Sequence, residues 1–361
     1  MKPAIVGAVL AARKRAVTVA HPNIYTICFV ALLSACQPKT RHTAELIPAF
    51  YHWKATFAPT LAERATLDSL DVKTLYIRFF DVDWDRTKRT AIPKATIHFR
   101  QRPDPGMRIV PVVYITNRTM ANLAPANVPE LAENLTKKIR QLADQQSIHI
   151  NEIQIDCDWT RTTRGTYFSL LKAISQKASL PLSATIRLHQ VKFAAQTGVP
   201  PVNRGMLMAY NTGDWKLTDT RNSILDLRDL KAYADYLPGY PLPLDIALPL
   251  FRWTVVYRNG RFLTLLNNVD QTVVRAIPGL QQQADTARYV ATRDTMALGM
   301  NLRRGDLLRT EFCSQTNLKA AGDLLVTQLP DQKRTFTLYH LDSAALHPYA
   351  HDDLKTLLHH P

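Results

Sequence analysis

The sequence predicts an α/β protein, a (β/α)8 TIM barrel with a β-hairpin and an irregular insertion between strands 7 and 8. Eight apolar segments of strand length recur along the chain, and segments with helical periodicity separate most of them. The chain has no glycine-rich dinucleotide loop and no Walker loop, which disfavours an open nucleotide-binding sheet. We therefore predict one barrel domain over residues 49–361, with the insertion at about residues 258–334.

Each predicted strand is an apolar segment bounded by polar or turn-forming residues. In chain order the eight strands are Ala49–Phe57, Thr74–Asp85, Arg108–Asn117, Asn151–Thr160, Leu182–Val191, Gly205–Asn211, Asp245–Tyr257 and Thr335–Asp342. Helical patterns predict helices at residues 60–70, 128–145, 167–178, 223–237 and 351–359. We expect residues 86–106 to form a long loop, and Arg258-Asn259-Gly260-Arg261 to form the turn of a hairpin.

The N-terminal residues 1–36 have the pattern of an export signal. Basic residues precede a short apolar run, Ile24–Leu33, which is followed by small residues and Cys36. The sequence Leu33-Ser34-Ala35-Cys36 resembles the lipobox of bacterial lipoproteins, which implies that Cys36 carries the lipid and becomes the new N-terminus. A buried N-terminal helix with an incidental cysteine is the alternative. Residues 37–48 are predicted to be a polar tether, and Gln37 resembles the outer-membrane-directed form of the signal.

The formal charge of the chain is strongly positive. Residues 1–35 contain four basic and no acidic residues, so their removal lowers the charge from +15 to +11. Such a field favours anionic polymers or membrane surfaces. The basic residues are scattered and match no nucleic-acid-binding motif, and we expect no nucleic-acid partner for an exported protein.

Cysteines and histidines give no sign of a metal site. Cys157 lies on the apolar phase of its predicted strand, which favours a buried free thiol. His189 and His340 lack metal-ligand spacing to any nearby histidine or cysteine, so we expect neither a metal nor a cofactor.

Carboxylates and aromatic residues dominate the ends of the predicted strands. TIM-barrel sites lie at the carboxyl ends of the strands, and sugars bind where aromatic rings meet fixed polar groups. Asp83 and Asp158 each have an acidic residue two positions earlier, and paired carboxylates could supply the acid and base of glycoside cleavage. The residues expected to bind substrate are Trp53, Asp81, Trp84, Asp156, Arg187, His189, Asn211 and Trp253.

Structural roles are the alternative for each of these residues. Asp156 could form a structural ion pair with Arg78 or Arg187 inside the barrel. The tryptophans could be core residues, and Trp159 shares its phase with the isoleucines of strand 4, which favours packing against the helices. The chain has no Gly-x-Ser-x-Gly motif, which disfavours a serine hydrolase.

The segments Ile155–Thr160 and Met208–Asn211 resemble two segments of the family-eighteen chitinases. Ile155-Asp156-Cys157-Asp158-Trp159-Thr160 is similar to their Asp-x-Asp-x-Asp-Trp-Glu signature, and Met208-Ala209-Tyr210-Asn211 is similar to their Met-x-Tyr-Asp segment. The resemblance implies that Asp158 orients a substrate acetamido group and that Tyr210, a third catalytic candidate, steadies the intermediate. The chain departs from the pattern where Thr160 replaces the glutamate that donates the proton, and where Asn211 replaces the last aspartate.

From about residue 50 to residue 359, the chain also resembles a family of bacterial lipoproteins with a glycoside-hydrolase-like barrel and no established activity. The segments that carry this resemblance are YHW, LYIRFFDVDWD, QIDCDW, MAYN and LYHLD. We therefore expect a lipid-anchored envelope protein that acts on or binds a polysaccharide or oligosaccharide. The alternative is a non-catalytic glycan-binding or scaffolding lipoprotein that has lost the catalytic acid.

Overall fold

A computed structural model of the chain describes residues 45–284, 286–359 and 361. In chain order, the strands are β1 (Leu46–His52), β2 (Thr56–Phe57), β3 (Thr74–Asp85), β4 (Thr90–Lys94), β5 (His98–Phe99), β6 (Arg108–Ile115), β7 (Ile153–Asp156), β8 (Leu182–Arg187), β9 (Arg204–Met208), β10 (Leu244–Pro249), β11 (Trp253–Arg258), β12 (Arg261–Asn267), β13 (Leu280–Gln282), β14 (Arg288–Ala291), β15 (Thr295–Ala297), β16 (Met300–Leu302), β17 (Leu307–Glu311) and β18 (Arg334–Tyr339). The α-helices are α1 (Leu61–Ser69), α2 (Asn117–Asn122), α3 (Val128–Gln145), α4 (Arg164–Ala178), α5 (Leu188–Lys192), α6 (Ala194–Thr197), α7 (Leu227–Ala234), α8 (Gln271–Arg275), α9 (Gln315–Gln328), α10 (Ser343–Leu346) and α11 (His351–His359).

Eight parallel strands close into a barrel. Their order around it is β1, β18, β10, β9, β8, β7, β6 and β3, and β1 pairs with both β18 and β3. Helices follow most of the strands along the chain, as in a (β/α)8 barrel. The predicted fold class is therefore confirmed.

Two apolar clusters stabilise the barrel, one between the strands and the helices and a smaller one inside the ring of strands. The outer layer lies between strands and helices, and α3 contributes Leu131, Leu135 and Ile139, as its helical spacing predicts. Trp159 also belongs to this layer: its side chain is 1% exposed and stacks on Tyr167, and its Nε1 donates to Thr197 O at 2.9 Å. The outward packing predicted for Trp159 is confirmed, as is the buried, unbonded state of Cys157.

The barrel interior is partly polar. Tyr51 Oη donates to Gln154 Oε1 at 2.5 Å, and Ser183 links Gln154 to Glu152. At the opposite end from the strand carboxyl termini, Arg204 donates two hydrogen bonds to Asp245, at 2.9 and 2.6 Å. These interior groups satisfy one another, so the interior is a packed core and not a channel.

The loop predicted at residues 86–106 instead contains two short strands. β4 turns back and pairs antiparallel with the second half of β3, and β5 pairs with β2. β3 can continue beyond the neighbouring β6 because β4 supplies its hydrogen bonds there. Asp83 lies on this extension, opposite Ile92 of β4.

Every barrel strand except β3 ends earlier than predicted; β1 and β6, for example, end at His52 and Ile115. β7, β8, β9 and β18 end at Asp156, Arg187, Met208 and Tyr339. The polar residues that follow them form loops or short helices, and α5 places the exposed His189 on a helix. Apolar alternation shows which residues pair within a strand but does not show where the chain leaves the sheet.

The predicted strand 7 is two strands in different sheets. β10 belongs to the barrel and ends at Pro249, whereas β11 pairs antiparallel with β12 and β17. The predicted hairpin at residues 258–261 joins β11 to β12 and is confirmed.

The insertion is not irregular as predicted. Its main part is a five-stranded antiparallel sheet in the order β12, β11, β17, β14 and β13, beside a two-stranded ribbon of β15 and β16. The buried Glu311 anchors this sheet to the barrel, because its Oε2 accepts hydrogen bonds from Ser223 N at 2.9 Å and Ser223 Oγ at 2.5 Å, in the segment between β9 and α7. The same oxygen accepts from Trp253 Nε1 within the sheet at 2.8 Å. Arg309 Nε donates to the other carboxylate oxygen. The strands were missed because they are short and carry little period-two alternation.

The predicted export signal, Cys36 and residues 37–44 of the predicted tether lie outside the described residues. β1 begins at Leu46, so the last three residues of that tether are part of the first barrel strand. In the part of the chain that the structure describes, no helix is both long and apolar enough to span a membrane.

Candidate functional site

An open cleft of 520 Å³ lies where the barrel strands end. Residues from eight strand ends and from the insertion surround it. They are Trp53, Arg78, Asp81, Tyr114, Asp156, Asp158, Arg187, Tyr210, Asn211, Phe251, Arg252, Trp253, Asn267, Asn268, Tyr339 and His340. The structure thus brings together eight of the eleven residues predicted for the barrel site.

Aromatic side chains form one wall of the cleft, on the side of β1, β18 and β10. The Tyr339 ring lies 5.6 Å from the Trp53 ring and 5.9 Å from the Phe251 ring, measured between centroids. Phe251 in turn lies 5.1 Å from Trp253, and the Tyr210 ring packs beside the wall, 5.5 Å from Tyr339 and 5.6 Å from Phe251. We call Trp53, Tyr339, Phe251 and Trp253 the aromatic wall.

Carboxylates line the opposite side, at the ends of β7 and β8. Arg187 Nε donates to Asp158 Oδ1 at 2.6 Å, and Arg187 Nη2 donates to Asp158 Oδ2 at 3.3 Å. Asp156 lies deeper, where its Oδ1 accepts a hydrogen bond from Thr185 Oγ1 at 2.6 Å. Arg187, which the sequence offered as an ion-pair partner of Asp156, therefore pairs with Asp158.

Burial changes the acidity of Asp156. The residue is only 6% exposed, and loss of hydration is the main cause that raises the pKa of its carboxyl group to about 6. Arg187 lowers this pKa and Asp158 raises it. Asp156 can therefore hold or release a proton near neutral pH, as an acid–base group must.

Tyr210 is positioned by Arg187 and Met208. The guanidinium carbon of Arg187 lies 5.6 Å from the centre of the Tyr210 ring, and Tyr210 Oη donates to Met208 Sδ at 3.3 Å. Burial raises the pKa of Tyr210 above its usual value, so the phenol stays protonated and can donate a hydrogen bond. The neighbouring Asn211 has a φ of 56°, a left-handed conformation that asparagine tolerates well.

Asp81 and Arg78 occupy the end of the cleft near β3. Arg78 Nη1 lies 3.6 Å from Asp81 Oδ2, which is too long for a hydrogen bond. Asp81 Oδ1 is buried without a hydrogen-bond partner. Burial raises the pKa of Asp81, while Arg78 opposes this effect.

Three predicted site residues do not line the cleft: Asp83, Trp84 and His189. Asp83 lies on the extension of β3 beyond the barrel, where Arg118 Nη2 donates to its carboxylate at 2.7 and 2.5 Å and Thr116 donates at 2.9 Å. The Arg118 hydrogen bonds are the main cause that holds the pKa of Asp83 well below its usual range. This geometry gives Asp83 a structural role in fixing α2 to β3.

Thr160 lies on the surface, where its hydroxyl contacts those of Thr162 and Thr163 at 3.0 and 3.2 Å. It is exposed and does not line the cleft. The position at which the chitinase pattern has its proton donor therefore carries no acid, and the acidic groups of the cleft come from other positions.

Sequence reasoning missed Phe251, Tyr339, Asn267 and Asn268 as site residues. Tyr339 lies at the end of β18, a strand that the sequence predicted. Alternation along that strand directs its side chain into the barrel, and this could have identified it as a site residue. The two asparagines lie at the end of β12, within the insertion that the sequence predicted to be irregular. No local pattern could have placed them beside the barrel.

Metal binding is not supported by the described residues, among which no three histidine, cysteine or carboxylate side chains come together to hold an ion.

Comparisons with solved structures show the same fold at low sequence identity. A chitinase from Chromobacterium violaceum has a TM-score of 0.52 at 13% identity, over 88% of this chain and all of that one. The Bacillus cereus spore cortex-lytic enzyme SleL has a TM-score of 0.51 at 14% identity, over 89% of this chain and 75% of that one. A Group IV chitinase from Ostrinia furnacalis has a TM-score of 0.50 at 11% identity, over 87% of this chain and all of that one. The chain therefore shares the TIM-barrel fold of these three proteins.

The sequence matches no family model, and it matches no curated protein. The resemblance to a lipoprotein family therefore stays a prediction.

The raised pKa of Asp156 predicts a pH-dependent stability. Between about pH 4 and pH 6 the folded protein binds this proton more tightly than the unfolded chain, so the contribution of Asp156 to stability falls as pH rises through that window. Relative to the wild type, Asp156→Asn should gain about 2–3 kcal/mol in free energy of unfolding between pH 4 and pH 7. Urea denaturation at both pH values measures the difference, with the exposed Asp235→Asn as the control for loss of one carboxylate. Equal gains in the two variants would contradict the burial effect.

Proposed function

We propose that the cleft binds an oligosaccharide segment of a polysaccharide. The observation that carries this proposal is the aromatic wall facing hydrogen-bonding side chains across an open cleft at the carboxyl ends of the strands. The CH faces of sugar rings stack on aromatic side chains, while carboxylates, amides and guanidinium groups order the hydroxyls.

The fold neighbours support the same proposal. Two are named chitinases and one a spore cortex-lytic enzyme. Their sequence identity to this chain is at most 14%, so the likeness concerns the fold, and the side chains of the cleft carry the proposal.

Trp53→Ala should weaken glycan binding about tenfold, or roughly 1.4 kcal/mol, because it removes a ring of the aromatic wall. Isothermal titration calorimetry against a panel of soluble oligosaccharides measures the change. Trp84→Ala is the matched control, since this half-buried tryptophan near the rim does not line the cleft. Equal loss in both variants, or no binding to any glycan, would reject the proposal.

Hydrolysis is the second candidate function, and the pKa of about 6 for Asp156 beside Asp158 favours it. A carboxyl group with a raised pKa and a second carboxyl group paired with Arg187 fit the two carboxyl groups that glycoside cleavage needs. Thr160 at the position of the family's acid favours binding without cleavage. These two functions share the cleft and differ only in turnover.

If the cleft is catalytic, release of reducing ends should fall at least about 100-fold in both Asp156→Asn and Asp158→Asn, because each removes an acid–base group. Asp83→Asn is the control, because its carboxylate is engaged by Arg118 outside the cleft. Release that survives both cleft substitutions would reject these carboxylates as catalysts. Binding without release in the wild type would identify a non-catalytic glycan-binding protein.

We further propose that the protein is held at the cell envelope, as an outer-membrane lipoprotein, by lipid on Cys36. The support is the sequence Leu33-Ser34-Ala35-Cys36 after a short apolar run. A single acyl chain binds membranes only marginally, whereas several chains on one cysteine would anchor the protein stably.

Cys36→Ser should abolish incorporation of labelled palmitate in a bacterial host and shift the protein from the detergent phase to the aqueous phase of Triton X-114. Cys157→Ser is the control for loss of a thiol, since Cys157 is buried and unbonded. Palmitate labelling that persists without Cys36 would disprove the anchor.

A further inference from the structure

The guanidinium groups of two arginines at the ends of the aromatic wall donate no hydrogen bond within the described protein. Arg78 lies beside Trp53, with its guanidinium carbon 5.6 Å from the ring centre, and Arg252 lies between Phe251 and Trp253 in the chain. Both line the cleft. We propose that they bind carboxylates, so that the glycan taken by the cleft is acidic.

Arg78 is held in place without its donors being used. Its side chain is 16% exposed, and its nearest carboxylate oxygen, on Asp81, lies 3.6 Å away. Arg78 Nε is buried without a partner. A guanidinium group has five N–H donors, and a mostly buried one normally donates several of them.

The guanidinium group of Arg252 is also mostly buried and donates no hydrogen bond within the described protein. Its side chain is 13% exposed, and Nε lies 3.5 Å from Asp270 Oδ2 without forming a hydrogen bond. Asn268 N donates a hydrogen bond to the Arg252 carbonyl oxygen at 3.0 Å, which fixes the backbone of Arg252. Its guanidinium group donates no hydrogen bond within the described protein.

Other arginines with mostly buried side chains behave differently. Arg187 and Arg258 each donate two hydrogen bonds to one carboxylate. Arg309 donates to Glu311 and to the Leu217 carbonyl oxygen, and Arg334 donates to two carbonyl oxygens. Arg187, Arg309 and Arg334 each also keep one buried nitrogen without a partner. Arg78 and Arg252 differ from them because none of their guanidinium nitrogens donates a hydrogen bond within the described protein, and both line the cleft.

The positions of the two arginines suit a ligand stacked on the aromatic wall. β3, β1, β18 and β10 are consecutive around the barrel, so Arg78 and Arg252 flank Trp53 and Tyr339. A sugar ring on those aromatic faces would direct its substituents towards the guanidinium groups. On the opposite side, Arg187 compensates the charge of Asp158 and Asp156 is buried, which limits repulsion of an acidic ligand.

Carboxylate is the ligand group that this arrangement favours. The planar fork of arginine matches the two oxygens of a carboxylate and donates two parallel hydrogen bonds, which a neutral hydroxyl cannot accept. The positive net charge of the whole chain would also attract an acidic polymer. Uronic acids and the lactyl group of muramic acid are two sources of such a carboxylate.

This inference rests on the proposed glycan binding, and two matched ligand pairs separate the two. Oligogalacturonates are compared with their methyl esters, and glycan strands containing N-acetylmuramic acid are compared with oligomers of N-acetylglucosamine. In each pair, only the first member carries a free carboxylate. Calorimetry on the full chain at low and at physiological salt measures the affinities.

We expect at least one acidic ligand to bind about tenfold or more tightly than its neutral partner, and Arg78→Gln or Arg252→Gln to remove most of this preference. Arg78→Lys should restore only part of it, because lysine keeps the charge and loses the fork. Arg228→Gln, at an exposed position on α7, controls for the change in net charge. Thermal unfolding of each variant identifies any that fails to fold.

Each outcome has one meaning. Preference for an acidic member that falls in the cleft variants and persists in Arg228→Gln supports the proposal, and the pair that shows it identifies the source of the carboxylate. Equal affinity within both pairs overturns the acidic-ligand inference and leaves glycan binding intact. Absence of binding to all four ligands overturns both.

Discussion

Closure of the eight-stranded sheet determines which way each strand residue points and where the cleft lies. β1 hydrogen-bonds to β3 on one side and to β18 on the other, so the first and last barrel strands meet and the eight-stranded ring is closed. A closed parallel sheet gives every strand one inward and one outward face. Alternate residues then belong either to the helix layer or to the interior, and all carboxyl ends open on the same side.

The stretch from Asp156 to Trp159 illustrates this constraint. Asp156 and Asp158 are directed into the barrel and cleft, while Cys157 and Trp159 pack outward against the helices. One short segment therefore contributes to the site and to the outer core together. Because Trp159 is held by stacking on Tyr167 and by its hydrogen bond to Thr197, the backbone that presents Asp158 is fixed from behind.

Much of the fold could be predicted from the sequence because the barrel repeats a simple pattern. Residues 74–85, 128–145 and 351–359 form the predicted strand and helices with the predicted bounds, since their periodicity is strong and their ends are well marked. Strand ends such as Arg187 and Met208 were less predictable, because the point at which a chain leaves a sheet depends on its neighbours. β3 also depends on a neighbour, since pairing with β4 keeps it extended beyond the end of β6.

The site was predictable where it follows from strand phase and not where it depends on tertiary contacts. Asp156, Asp158, Tyr210 and Trp53 line the cleft because barrel geometry directs strand ends there. Asp83 has the same alternation as Asp81 but lies past the end of β6, where Arg118 engages it. Arg78 was considered only as an ion-pair partner, and the fact that its donors remain unused is visible only in three dimensions.

The insertion between β10 and β18 contacts the cleft without forming part of the closed barrel sheet. It reaches the cleft with Asn267 and Asn268, yet its sheet is built from its own hydrogen-bonded strands and is joined to the barrel through the buried Glu311. Substitutions at the two asparagines could therefore alter ligand preference without disturbing the closed sheet beneath. The insertion is therefore a place where ligand recognition can be altered while the barrel keeps its shape.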